Sequence, residues 1–159
     1  MMWGRINQSS PEKAFLSVYN SYSTAALSDG QPVIWDYATD ADGVSVTKPT
    51  DASKAGGKHF GSAFAGIAAQ AIAAGAYGLI QIYGYHSAVR VRTATGGAPA
   101  IAAGVALSSI SAVFALESFV GSVAATSTAT QHLFFPAGFA LAAQASWTTK
   151  AIACFIKAL

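Results

Sequence analysis

The sequence predicts an all-β chain, built as a jelly-roll-like sandwich or a compact β-barrel with an extended N-terminal arm. Three observations carry this expectation. β-Branched and aromatic residues gather into short runs, as at residues 31–37 and 79–85. Polar and apolar residues alternate with period two at residues 44–47 and 88–93, which places one set on each face of a strand. Glycine punctuates the chain in a recurring local pattern: a large apolar residue, two residues, Gly, then a further short run to the next large apolar residue. It occurs from Leu27 with Gly30, from Ile72 with Gly75, from Ile101 with Gly104 and from Phe135 with Gly138. Each reads as a four-residue turn with Gly in its last position, and the irregular intervals between turns favour a sandwich or barrel over a solenoid.

Taken in order, residues 1–12 read as the arm and residues 13–159 as one β-rich domain. Ser10-Pro11-Glu12 has the chemistry of a helix start, with Ser suited to the cap and Pro to the first turn. The Val, Tyr and Ser content of residues 15–23 equally suits a strand. Residues 31–37 and 44–47 form a hairpin whose turn lies at or near Asp42-Gly43, with Lys48-Pro49 ending the second strand. Residues 50–62, rich in Gly and polar groups, read as a mobile surface loop. In the two runs that follow, the apolar positions change parity between Ile82 and Val89, which calls for a bulge or tight turn around residues 84–87. Residues 105–123 suit either strands broken at Ser108-Ser109 and Gly121 or one Ala/Ser-rich helix. Residues 124–130 read as a small-residue loop, and residues 131–135, 140–145 and 150–159 as closing strands.

Charge is the scarce quantity. Hydrophobic residues make up 53% of the 159 but charged residues only 10%, against about 25% in an average soluble domain. A fully exposed surface of that kind is poorly solvated, so a partner surface or a membrane is expected to cover part of it. The net charge of +2 gives no general nucleic-acid footprint. Six of the seven acids precede residue 52, leaving Glu117 as the only later one. The weakly basic remainder either faces an acidic partner or consists of ordinary solvated tips. Residues 61–82 and 101–125 are the stretches that resemble membrane spans. The first is mostly Ala and Gly, which gain little on insertion, and the second holds Glu117 and several serines, so no membrane role is expected. Residues 1–5 lack the basic-then-apolar order of a signal peptide.

Catalytic and metal-binding patterns fail specific tests. His59, His86 and His132 are isolated from each other and from the single cysteine, Cys154, which lies in an apolar run and reads as a buried, inert thiol. Asp40 and Asp42 suit the first and third positions of a calcium loop, but Gly43 then falls fourth instead of sixth and the twelfth position holds Asp51 instead of Glu. There is no Gly-x-Ser-x-Gly elbow, and Gly56-Gly57-Lys58 lacks the rest of a phosphate loop. The chain is therefore expected to be no enzyme and to carry no cofactor and no metal. Tyr77, Tyr83 and Tyr85 lack accompanying basic residues, so packing is favoured over stacking on bases or sugars.

Several segments resemble the decoration or cement proteins of tailed-bacteriophage heads. The matching residues are 30–36, 42–46, the module 64–84 with Ile72-Ala73-Ala74-Gly75 at its centre, the late Gly-x-x-Leu turn and the Ala-rich strand 150–159. Residues 108–130 add nothing to the match. The resemblance implies a homo-oligomer, dimer or trimer, bound on the outer capsid surface, bridging neighbouring major capsid proteins and stabilising the DNA-filled head by mass action. It implies a virion location after synthesis in the host cytoplasm, with no nucleic-acid or membrane partner. A tail or fibre adaptor, or a carbohydrate-binding module using Tyr83 and Tyr85, is the alternative. Trp3 and Arg5 on the arm, with Arg90 and Arg92 on one strand face, are the expected protein contacts, being residue types enriched at interface hot spots.

Overall fold

The computed structural model describes residues 12–49, 63–93, 100–109, 113–118, 136–145 and 148–158. Most of the arm, including Trp3 and Arg5, lies outside the described residues, as do the loop at 50–62, the stretches 124–130 and 131–135, His59 and His132. The chain is all-β. Among the described residues the strands are β1 (Lys13–Asn20), β2 (Pro32–Trp35), β3 (Ser45–Thr47), β4 (Phe64–Ala68), β5 (Tyr77–Arg92), β6 (Ala106–Ser109), β7 (Leu116–Ser118), β8 (Gly138–Ala140) and β9 (Lys150–Lys157).

Strand pairing closes the chain on itself twice. β1, β3, β2, β4 and the first half of β5 form one hydrogen-bonded ring, with β5 returning to β1. The second half of β5, β7, β6, β8 and β9 form another, with β9 returning to β5. The two rings have the same plan in register. Pro32 and Val33 oppose Ile67 and Gly66 as Ala106 and Leu107 oppose Phe139 and Gly138. Ile67 and Ala68 oppose Gln81 and Ile80 as Phe139 and Ala140 oppose Phe155 and Cys154. Ile34 and Trp35 oppose Thr47 and Val46 as Ser108 and Ser109 oppose Glu117 and Leu116. The fold is therefore a tandem duplication in which β5 supplies the last strand of the first ring and the first strand of the second.

Each ring has its own core, and the cores match position by position. Val18, Leu27, Val33, Val46, Ala68 and Ile80 pack in the first. Their counterparts Val89, Ile101, Leu107, Leu116, Ala140 and Cys154 pack in the second. Fully burying a Val, Leu or Ile contributes about 1.5–3 kcal/mol, so closing each ring around such a set is the main source of stability. Phe64 and Ile67, on the outer side of the first ring, pack into the second core and fasten the rings together.

β5 can serve both cores because it is bulged. Ile80 faces the first core, whereas Val89 and Val91 face the second, a change of parity. The register against β9 shifts between His86 and Val89, which puts an extra residue in β5 there, and the register against β1 shifts at Ile82. The bulge expected at the parity change is present, and the two runs flanking it are a single 16-residue strand.

The apolar-x-x-Gly pattern acquires a structural meaning. Leu27 bridges Ile72, and Ile101 bridges Gln144. In three of the four copies the turn lies one residue later than expected. It is closed by Gln31 N–H to Ser28 O, Ala76 N–H to Ala73 O and Val105 N–H to Ala102 O, which puts Gly in the third position. There φ is +78° at Gly30, +72° at Gly75 and +87° at Gly104, the left-handed requirement of a type II turn. The fourth expected turn is not one, since Gly138 lies within β8 between β6 and β9. Neither is Ser108-Ser109 a break: both serines are inside β6, buried and paired with β7. Of residues 140–145, Ala140 ends β8 and Gln144 makes an isolated bridge, while residues 141–143 are irregular. Elsewhere the Asp42-Gly43 hairpin joins β2 to β3, residues 13–20 are strand, and β4 and the start of β5 occupy half of residues 61–82. No helix among the described residues is long and apolar enough to cross a membrane.

The turn glycines are not equivalent. A Cβ on Gly30 would lie 2.0 Å from the Ala88 carbonyl oxygen, whereas at Gly104 and Gly43 it would meet nothing within 4 Å. Gly43→Ala is expected to lower stability by about 1 kcal/mol, the left-handed penalty alone. Gly30→Ala adds a backbone clash and is expected to cost about 3 kcal/mol or more. Urea unfolding of the two variants checks the difference.

Candidate functional site: the junction of the two rings

The residues singled out by chemistry meet where β5 passes from one ring to the other. Arg90 and Arg92 project from the face of β5 opposite to the buried Val89 and Val91. Arg92 is already engaged: its Nε donates to Glu117 Oε1 at 2.5 Å, and the Glu117 side chain is almost fully buried. The only acid after residue 51 is thus the partner that neutralises a cation of the second ring, across the parallel pairing of β5 with β7. Arg90 is half-buried, and its backbone N–H donates to Gly30 O, tying the first Gly turn to β5.

His86 occupies the bulge and is buried. Its Nδ1 accepts the Ala88 N–H at 3.2 Å, so the imidazole satisfies the amide that the bulge removes from the ladder. Its Nε2 faces Asp29 Oδ1 at 3.5 Å, from the Ser28–Gln31 turn of the first ring. Burial pushes the imidazole pKa below its ordinary value; Asp29 opposes the shift, and Lys13 reinforces it. The neutral form with its proton on Nε2 is the one that fits these contacts.

The remaining candidates are structural. Asp40 accepts backbone N–H groups from Asp42, Val44 and Ser45, organising the hairpin turn. A bond from the Ser45 side chain contributes most, and with these backbone bonds it holds the carboxyl below the usual range. Asp36 accepts from Ser21 Oγ at 2.6 Å. Among the described residues, no three His, Cys, Asp or Glu side chains converge as metal ligands. Cys154 is buried in the second core, and burial pushes its thiol up to about 12, which leaves it protonated at neutral pH.

The tyrosines separate. Tyr77 is 68% exposed and packs against Tyr19 at 5.3 Å with rings tilted by 59°. Tyr83 is half-buried and edge-on to Phe155 at 5.1 Å, and Tyr85 lies beneath Lys13 Nζ at 5.9 Å. Phe155 in turn stacks on Phe139 at 5.2 Å. Phe15, Leu79, Phe139 and Leu141 are all more than a third exposed. Phe15, Leu79 and Phe139 lie on strands, and Leu141 directly follows β8. A reading of chemistry-bearing residues one at a time misses them, because strand parity alone does not say which outer face is covered. Comparison with protein-family models and with curated proteins finds no match to this chain.

Two outcomes follow from the junction. Arg92→Ala strands a buried carboxylate and is expected to cost about 3 kcal/mol, well above the effect of Arg90→Ala, as measured by chemical denaturation. The His86 pKa is lowered in the fold from its ordinary 6.5. The unfolded chain therefore binds more protons as pH falls through that value, and stability contributed by neutral His86 is present above it and lost below. Melting temperature is expected to fall between pH 7 and pH 5, and His86→Asn, which keeps an acceptor for Ala88 N–H, is expected to flatten that fall.

Proposed function

We propose that this chain is a structural subunit of a viral shell, a decoration or cement protein that seats on the outer capsid surface and bridges neighbouring major capsid proteins. The observation that carries the reading is the pairing of a charge-poor composition with exposed large apolar side chains, Phe15, Tyr77 and Leu79 on strands of one ring and Phe139, with Leu141 just after β8, on the other. Monomeric proteins seldom leave such groups exposed in clusters, and clustered aromatics anchor protein interfaces. The resemblance of residues 30–36, 42–46 and 64–84 to the head decoration proteins of tailed bacteriophages supports the same assignment.

On this reading the chain does no chemistry. Ring closure supports it in physical terms: two closed rings are stiff, and stiffness lets a bridge transmit load between capsid subunits instead of stretching. Binding only to the assembled shell raises the shell's stability by mass action. Arg90 and the Trp3/Arg5 arm are the polar and aromatic contacts proposed to supplement the apolar ones.

The test uses shells of the virus that encodes the chain, prepared without it. Purified protein is expected to co-sediment with them to a saturating, fixed ratio and to raise the temperature at which DNA is released. Tyr77→Glu combined with Leu79→Glu is expected to weaken binding at least about tenfold. Absence of co-sedimentation by the folded wild-type chain rejects the reading. Saturable binding to an immobilised glycan array in place of shells would move the assignment to a carbohydrate-binding module.

A further inference from the structure

The duplication supplies a built-in comparison for the joint between the rings. The Gly30 and Gly104 turns are made by the same bonds. Gly30 N–H donates to Ala68 O and Gln31 N–H to Ser28 O in one, Gly104 N–H to Ala140 O and Val105 N–H to Ala102 O in the other. They differ in what they meet. A Cβ on Gly104 would meet nothing within 4 Å, and Ala103 precedes that glycine. Gly30 instead abuts the Ala88 carbonyl, its own carbonyl accepts Arg90 N–H, and the residue before it is Asp29, which faces His86. The first turn is therefore seated on the bulge of β5, with an imidazole in the seat.

That imidazole is 7% exposed and touches both rings. Toward the second ring, its Nδ1 accepts Ala88 N–H. Toward the first, Nε2 lies 3.5 Å from Asp29 Oδ1, and the Ala68 carbonyl, which also accepts Gly30 N–H, favours a proton on the ring. Lys13 at the start of β1 repels a charged ring, and Cys154, opposite His86 on β9, is an uncharged thiol. A neutral ring with its proton on Nε2 satisfies both sides, whereas an imidazolium carries hydrogen on both nitrogens.

Protonation at Nδ1 turns an acceptor into a donor. Two N–H groups then confront one another across 3.2 Å at the bulge, and a cation is held away from water. Asp29 gains a charged partner in exchange, but its side chain is 58% exposed, so water screens the pair. Burial outweighs that gain and sets the imidazole pKa below its ordinary 6.5. Parting the bulge from the turn relieves the conflict, because it wets the imidazole and lets the Ala88 amide bond water. The backbone bond that crosses this seam is Arg90 N–H to Gly30 O, whereas the bonds that shape the turn lie inside the first ring. Phe64 and Ile67 remain in the second core and keep the rings joined.

We infer that His86 is a proton-operated latch between the rings: neutral, it holds the Gly30 turn on the bulge of β5, and protonated, it releases the turn while both rings stay closed. The open form binds the proton more tightly than the closed one. The latch is therefore fully shut above the ordinary imidazole value of 6.5 and weakens as pH falls from there toward the lower closed-state value. The device is independent of the shell reading, since it acts within the purified chain.

The test is amide hydrogen exchange of the full chain, followed by NMR between about pH 7.5 and pH 5 and expressed as protection relative to the intrinsic rate at each pH. Protection of the Arg90 amide is expected to fall with pH, by about tenfold for a closed-state pKa one below the open-state value. The Ala68 and Gly104 amides, bonded to Gln31 O and Ala140 O within their own rings, are expected to keep theirs. His86→Asn is expected to make Arg90 protection independent of pH. Asp29→Asn removes a group that favours the imidazolium and is expected to deepen the fall. Lys13→Ala removes one that opposes it and is expected to make the fall shallower, so the two variants test the latch even if His86→Asn does not fold. Arg90 protection that stays constant over this range overturns the inference. So does a fall shared by Ala68 and Gly104, which reports unfolding of the rings in place of local release. A fall that persists in His86→Asn, or that Asp29→Asn and Lys13→Ala leave unchanged, overturns it as well.

Discussion

β5 belongs to two closed rings at once, and the extra residue between His86 and Val89 is the constraint that makes this possible. A strand alternates its faces with strict period two. His86 and Val89 oppose Cys154 and Ile152 on β9; without the added residue between them, Ala88, Arg90 and Arg92 would take the inward places of Val89 and Val91. A second irregularity, against β1 at Ile82, lies nearer the first ring. The cost of the bulge before Val89 is an amide outside the ladder, and His86 offsets that cost by accepting the Ala88 N–H through Nδ1. The Gly30 turn then fits against the bulge because it carries no Cβ, and Arg90 N–H closes the joint.

Around this joint and the hairpin, five of the described charged residues have structural partners. Glu117 neutralises Arg92 on the flank of the second ring, Asp29 faces the bulge imidazole, and Asp36 and Asp40 tie down the hairpin of the first ring. Among the described residues the outer walls also carry aromatic and aliphatic side chains, Phe15, Tyr77, Leu79 and Phe139 among them.

Much of the fold was legible along the chain because it is governed by local rules. The period-two runs, the Asp42-Gly43 hairpin, the parity change before Val89 and the Gly-marked turns each follow from backbone sterics or face alternation over a few residues. The exact turn position was misjudged because the pattern was anchored on its large apolar residue, whereas left-handed φ at the third turn position is what selects Gly. Ser108-Ser109 looked like a break because small polar residues commonly end strands. Pairing with β7 on one side and seclusion from water made them a strand interior instead.

The duplication was not legible, although its signature, the recurrent apolar-x-x-Gly module, was visible. The two halves share few identities: Ile67 answers to Phe139, Ile80 to Cys154 and Ile72 to Gln144. A ring core tolerates many apolar side chains provided face and volume are kept, so the repeat is preserved in register and lost in letters. What the sequence by itself determined is the class of structure, all-β, glycine-turned and charge-poor, because propensity and alternation act over short spans. What only the tertiary structure decided is which strands close on which, that Arg92 meets Glu117 across β5 and β7, and that Phe64 and Ile67 of the first ring pack into the second core. Those are relations between residues far apart in the chain, and they are fixed by closure of the rings.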